Sequence, residues 1–155
     1  MSNTAVIPFS TTLHVKDTCL CLHAQRAARA LARRFDAALK PHGMTNQQFS
    51  LMMALNRPEP PTIGPVASLL AMDRTTLTAA LKPLERRGWV SVEPDTKDKR
   101  GKRLSLTDAG MAALSAALPV WVRLHAEVED ALTAIDADSL RRGLVEISNP
   151  PHRGP

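Results

Sequence analysis

The sequence predicts a mainly α-helical protein that carries one small β-hairpin. Three observations lead there. Aromatic residues make up only 3% of the 155, with no Tyr at all, and Ala and Leu dominate the composition. Apolar residues recur at steps of three and four through the two outer segments, as one face of a helix requires. A single pair of short β-type runs brackets a polar loop.

Each element follows in order. The first helix is expected from about Lys16 to Lys40, where Leu20, Ala24, Ala27, Leu31, Phe35 and Ala38 form one stripe. Gln25, Arg29, Arg33 and Asp36 fall on the other side, and Pro41, His42 and Gly43 stop it. Thr45, with Gln48 three residues on, is a capping box that opens a second helix bearing Phe49, Met52, Met53 and Leu55. The stretch from Asn56 to Pro61 is a loop. Thr62 is the expected cap of a short helix with Pro65 in its first turn, ending near Leu70. Asp73 caps the next, which runs to about Arg87 before Gly88.

The runs Trp89–Val92 and Arg103–Leu106 are the two strands, joined by the polar loop from Asp95 to Lys102. Thr107 and Asp108 then start a long helix with Met111, Leu114, Leu118, Trp121, His125, Val128 and Leu132 in one stripe. Pro119 is expected to kink it on a more exposed side. A last helix covers about Asp138 to Ile147. Residues 1–15 read as a loose arm without the basic start and long apolar run of a signal peptide, and residues 148–155 as a mobile tail.

Composition narrows the function. Lys and Arg outnumber Asp and Glu by 20 to 15, a balance that suits a polyanionic partner. No apolar run is long enough to span a membrane. Cys19 and Cys21 are too close for an unstrained bridge, so a reducing cytoplasm is expected. No Gly-rich phosphate loop, nucleophile elbow or metal-ligand helix is present. Glu127 with Glu129, and Asp136 with Asp138, stand two apart and diverge on a helix. No catalytic residue, cofactor or metal site is therefore expected.

The strongest functional signal is the pair of helices 63–70 and 73–87 joined by the short turn Ala71-Met72-Asp73. In the second, Leu77, Leu81 and Leu84 define a buried face, and Thr75, Ala79, Lys82 and Arg86 lie opposite, with Thr78 on the flank. That outward face begins small and polar and becomes basic, as entry into a DNA major groove requires. Arg74, Thr75 and Thr76, at its start, are best placed to reach bases.

The hairpin agrees. From Lys82 to Arg103 there are eight cations and four anions, so 22 residues carry +4 of the chain's +5. Its tip holds Lys97, Lys99, Arg100 and Lys102, and an Arg there fits a minor groove. Asp95 and Asp98 are expected to hold the loop by bonding Arg100, Lys97 or backbone N–H groups.

These residues resemble the multiple-antibiotic-resistance regulator (MarR) family of winged helix-turn-helix proteins, from about Cys19 to Ile147. The likeness is most specific over residues 81–90, in Asp95-x-Lys97-Asp98-x-Arg100, and in Leu104-x-Leu106-Thr107-x-x-Gly110. Lys97 stands where the family has its first wing Arg, and Ala71 replaces the Gly often found in the helix–helix turn. The resemblance implies a DNA-binding lobe over 45–107 and a dimerisation lobe built from 16–44 and 108–147. It also implies a homodimer on a palindromic operator, repression released by a small-molecule effector, and Arg100 in the minor groove.

Other readings stay open. Cys19, Cys21 and His23 form either a thiol or oxidant sensor, an incomplete metal site or a buried apolar cluster at a dimer seam. If helical, the two thiols point about 160° apart. His125 beside Trp121 is either a core histidine or, with Met52, part of an effector pocket. A winged helix serving only protein–protein interaction is the alternative from another class.

Overall fold

The computed structural model describes residues 6–149. The elements are α1 (Phe9–Thr18), α2 (Leu20–Leu39), a 3-10 turn (Lys40–His42), α3 (Asn46–Leu55), α4 (Ile63–Leu69), α5 (Arg74–Arg86), β1 (Val90–Pro94), β2 (Lys102–Leu106), α6 (Asp108–Asp130) and α7 (Ala137–Ser148). The chain divides between Arg34 and Phe35 into two compact units. No described helix is long and apolar enough to cross a membrane.

In the first unit two expectations are corrected. The arm expected over 1–15 is helical from Phe9 on, and the first long helix begins at Leu20 rather than about Lys16. The two helices are separated at Cys19, whose backbone is extended (ψ 106°). Its sulfur then accepts from Leu22 N at 3.4 Å and its carbonyl from His23 N at 3.1 Å, so Cys19 opens α2 as a capping residue does. Nothing in α1 is buried, and Phe9 is 72% exposed. The expected tail begins inside a helix, since Ser148 ends α7. Its remainder from Pro150, and the arm up to Ala5, lie outside the described residues.

The second unit is built around one core. Leu39, Leu51, Met52, Val66, Leu77, Leu84 and Leu104 are its largest fully buried side chains, joined by Phe49, Leu81, Val90, Leu114 and Ala117. Thr45 caps α3 as a complete capping box, with Gln48 N donating to Thr45 Oγ1 (3.2 Å) and Thr45 N donating to Gln48 Oε1 (3.1 Å). Thr62 precedes α4 but its hydroxyl makes no cap bond, against expectation. Its neighbourhood is tied instead to the hairpin, with Leu104 N donating to Pro61 O at 2.9 Å and Thr62 bridging Arg103.

The turn between α4 and α5 puts Ala71 at φ 51°, among the described residues the one non-glycine with positive φ. Met72 N reaches back to Ala67 O (2.9 Å), which satisfies a carbonyl at the end of α4. Both interior prolines are tolerated. Pro83 and Pro119 leave α5 and α6 continuous, and the carbonyls they leave without a donor belong to the exposed Ala79 and Ser115, which face water. The hairpin is antiparallel, with Val90 opposite Leu106 and Pro94 opposite Lys102. Thr107 caps α6, accepting from Gly110 N at 3.0 Å. Leu132, expected in the α6 stripe, lies beyond the helix, and Met111 and Leu118 are about 40% exposed while Ala117 and Leu124 are buried.

Candidate nucleic-acid interface

Helix α5 carries the outward face that its periodicity predicts. Leu77, Leu81 and Leu84 are buried, and Thr75, Ala79, Lys82 and Arg86 are exposed. Thr75, Ala79 and Lys82, with Arg74 and Thr78, line a shallow groove of about 320 Å³. The start of the helix is fixed by Asp73, whose Oδ1 accepts from Thr76 N (2.8 Å) and whose Oδ2 accepts from Thr76 Oγ1 (2.7 Å). The Thr76 backbone N–H, and then its hydroxyl, hold the Asp73 carboxyl below the usual carboxylate range. Thr76 therefore spends its hydroxyl proton on the cap, and Thr78 donates its own to Arg74 O (2.8 Å). Both hydroxyls face a ligand with lone pairs only.

The wing is pinned by its acids. Asp95, only 7% exposed, accepts from Lys97 N (3.1 Å) and from Arg103 Nε (3.1 Å). The Lys97 N–H, followed by Arg103, keeps its carboxyl below the ordinary range. Asp98 Oδ1 accepts from Arg100 N at 3.0 Å. The expected backbone bonds are present, but the side-chain partner is Arg103 rather than Arg100 or Lys97. The hairpin closure explains this, because Asp95 N donates to Gly101 O (2.9 Å) and so brings Asp95 beside the second strand. The tip cations Lys97, Lys99, Arg100 and Lys102 are left exposed, with no ion pair among the described residues.

Two residues that sequence reasoning passed over organise this surface. Arg103 also donates from Nη1 to Pro60 O (2.9 Å), which fastens the wing to the loop before α4. Arg87 donates to Gly43 O and lies 3.5 Å over the Trp89 ring, linking the end of α5 to the turn after α2. Gly43 is at φ 65°, and a Cβ there would stand 2.8 Å from the Arg87 guanidinium.

A second, apolar cleft of about 340 Å³ is lined by Phe49, Ser50, Met53, Ala54, Leu69, Leu70, Leu118 and Trp121. Trp121 stacks on Phe49 (centroids 6.0 Å apart) and on His125 (4.6 Å). The expected lining is corrected at two positions. Met52 is fully buried in the core and its neighbour Met53 takes the wall, while His125 backs Trp121 from outside, with Nδ1 3.7 Å from Glu129 Oε1.

Cys19 is half-buried at the break between α1 and α2, and Cys21 is exposed, with its sulfur accepting from Gln25 Nε2 at 3.1 Å. His23 Nδ1 lies 2.8 Å from the Cys19 carbonyl oxygen. Among the described residues no group of three or more His, Cys, Asp or Glu is placed to hold a metal.

Known proteins share this arrangement. The MarR family pattern matches residues 44–102, which hold α3 to the start of β2. The chain is similar to the Mycobacterium tuberculosis transcriptional regulator MosR in complex with DNA, with 37% identity, a TM-score of 0.77, and coverage of 84% of this chain and 93% of that one. It is similar to a mutant MarR from E. coli in complex with operator DNA, with 26% identity, a TM-score of 0.76, and coverage of 87% and 97%. The transcriptional activatory protein BadR of Rhodopseudomonas palustris is 32% identical over 88 residues, 55% of this chain; the matched stretch is half of BadR's length. Buried leucines behind an exposed Thr/Lys/Arg face, a basic wing, and a 37% identical regulator matched over 93% of its length all point the same way. The chain belongs to the MarR family of winged-helix, DNA-binding transcriptional regulators.

Proposed function

We propose that this protein is a cytoplasmic, homodimeric repressor that grips a palindromic operator and lets go when a small molecule binds. The observation that carries the reading is that the recognition helix and the wing share one cleft. Arg74 and Thr78 of α5 face Arg100 and Lys102 of the wing across it. Thr75, Thr76 and Lys82 lie along the base-reading side. Arg86, Lys97 and Lys99 meet phosphates. Arg100 enters the minor groove, and Asp95 and Asp98 hold the wing in shape.

The dimer reading rests on α7, where Leu144, Val145 and Ile147 are 45%, 59% and 56% exposed in the single chain. A stripe of that kind is suited to its own two-fold copy. Two recognition helices then stand about one DNA turn apart, roughly 34–36 Å. The apolar cleft beside Trp121 suits a small lipophilic or aromatic effector.

Gel-shift titration of the full chain against genomic fragments, with salt varied, tests the DNA reading. Tight, salt-dependent and fragment-selective binding is expected; binding to none of them would leave the protein-interaction alternative. A reporter driven through the bound fragment tests the sign. Repression lowers its output, and a rise would make the protein an activator, as BadR is described.

The exposed Cys21 thiol two residues from Cys19 favours one second reading, an oxidant-responsive regulator. Under that reading Cys19→Ser and Cys21→Ser abolish peroxide-induced release from DNA, and an unaltered response in both removes it.

A further inference from the structure

We infer that the cleft between α4, α5 and the wing seats one sugar–phosphate unit of the DNA backbone, and that Arg74 is a phosphate ligand there rather than a reader of bases. The inference rests on the DNA-binding reading above and assigns a role within it. It departs from the expectation that Arg74, at the start of the recognition helix, reaches base edges.

The geometry is specific. The cleft holds about 490 Å³ and is walled by Gly64 and Pro65 of α4, Arg74 and Thr78 of α5, and Asp98, Arg100 and Lys102 of the wing. The Arg74 guanidinium leans toward α4: a Cβ built on Gly64 would stand 3.2 Å from Arg74 Nη2 and 4.0 Å from its Cζ. Gly64 is not needed for its backbone, because its φ lies outside the left-handed region. What the missing side chain supplies is room for that guanidinium.

The charge points to an anion. Arg74, Arg100 and Lys102 have no side-chain partner among the described residues, although the Asp98 carboxylate stands in the same cleft. That carboxylate is engaged by the Arg100 N–H at 3.0 Å. The other acid in the wall, Asp95, is already paired with Arg103 at 3.1 Å. Three free cations against one exposed carboxylate leave a surplus of two positive charges; with Arg100 reaching on into the minor groove, Arg74 and Lys102 remain for the phosphate. The Thr78 hydroxyl gives its proton to the Arg74 carbonyl, so the donors offered to a ligand are the guanidinium and ammonium groups. Donors without paired acceptors suit a phosphate oxygen. A guanine edge offers only its N7 and O6 acceptors, which one guanidinium satisfies, so cations converging on one cleft suit a phosphate better.

The two roles separate by salt and by sequence. The probes are a duplex selected by the wild-type full chain from a randomised pool and an unrelated duplex of equal length. Binding is measured by fluorescence anisotropy between 50 and 200 mM salt. For a phosphate ligand, Arg74→Ala weakens both duplexes by the same factor and lowers the salt slope by about 0.9 per protomer. The wild type then loses about 3.5-fold more affinity per protomer than the variant over that salt range. Reselection with Arg74→Ala returns the same sequence.

Arg74→Lys restores the slope, because a point charge meets phosphate but cannot replace a bidentate pair on guanine. Gly64→Ala, which keeps Arg74 and displaces it, weakens both duplexes in the same ratio. The inference is overturned if Arg74→Ala loses affinity only for the selected duplex with its salt slope intact, or if neither variant changes binding. Failure of the parent reading looks different, since the wild type itself would then bind neither duplex.

Discussion

Gly110 supports the most direct test of the architecture behind the DNA surface. It sits in the first turn of α6, where the helix passes over the start of the hairpin. A Cβ added there would lie 2.0 Å from Trp89 O and 2.8 Å from Trp89 C, both backbone atoms that no rotamer can move aside. An ordinary contact needs about 3.4 Å, so the helix or the strand must yield by about 1.4 Å. The bonds from Thr107 N to Trp89 O (3.1 Å) and from Thr107 Oγ1 to Gly88 O (2.5 Å) cross the same gap and break with it. Two such bonds contribute about 1 kcal/mol each. Overpacking adds about 1–3 kcal/mol, and the better helix propensity of Ala returns up to about 1 kcal/mol. The net loss for Gly110→Ala is about 3 kcal/mol, or a fall in Tm of about 6–12 °C for a chain of this size. Circular dichroism melts and urea titration at fixed protein concentration measure it. A Tm within about 2 °C of wild type would show that α6 does not press on the hairpin as described.

Other consequences follow from single contacts. Arg100→Ala weakens DNA binding and flattens the salt slope by about one unit, read from anisotropy titrations at several salt concentrations. Asp73 and Asp95 titrate below their ordinary range, so their stabilisation is complete above about pH 4 and drains as the pH falls through their lower native values. Urea midpoints therefore drop below about pH 4, and Asp95→Asn makes that drop shallower; an identical acid limb would sink the assignment. Arg87→Ala loses the Gly43 carbonyl bond and the stack on Trp89, about 1–2 kcal/mol by thermal melt. Under the dimer proposed above, Val145→Asp puts a charge into the exposed apolar face of α7 and yields monomers in sedimentation equilibrium where the wild type is dimeric, with the α-helical spectrum retained.

What could be read from the sequence was whatever a period or a cap defines. Leu77, Leu81 and Leu84 on one side of a helix opened by Asp73 leave only one side for Thr75, Ala79 and Lys82, and the structure agrees. The Arg103 pairing is not legible in the sequence because Arg103 meets Asp95 only once the hairpin register is set, and seven intervening residues hide it. Met52 and Met53 could not be told apart because α3 is apolar nearly all round, with Phe49, Leu51, Met52, Ala54 and Leu55 all buried. Helix α1 was unreadable for the opposite reason, since it buries nothing and has no stripe to find. The break at Cys19 leaves no mark in composition. It is a local backbone choice, supported by a sulfur that accepts the Leu22 N–H.

Helix α4 stands between the two clefts, and this bears on how an effector could act. Its last residue, Leu69, lines the apolar cleft beside Trp121, and its first two, Ile63 and Gly64, line the cationic one beside Arg74. Seven residues make a rod of about 10 Å. A rod that short does not absorb a displacement by bending, so one applied at Leu69 arrives at Gly64. The wing follows, because Leu104 N is held by Pro61 O and Arg103 by Pro60 O, immediately before the helix. A ligand that wedges the apolar cleft is therefore expected to move the Arg74 cleft and the wing together. In a Trp89→Phe background, compounds that quench Trp121 fluorescence lower DNA affinity over the same concentration range. Quenching at undiminished DNA affinity would break the link between the two ends of α4.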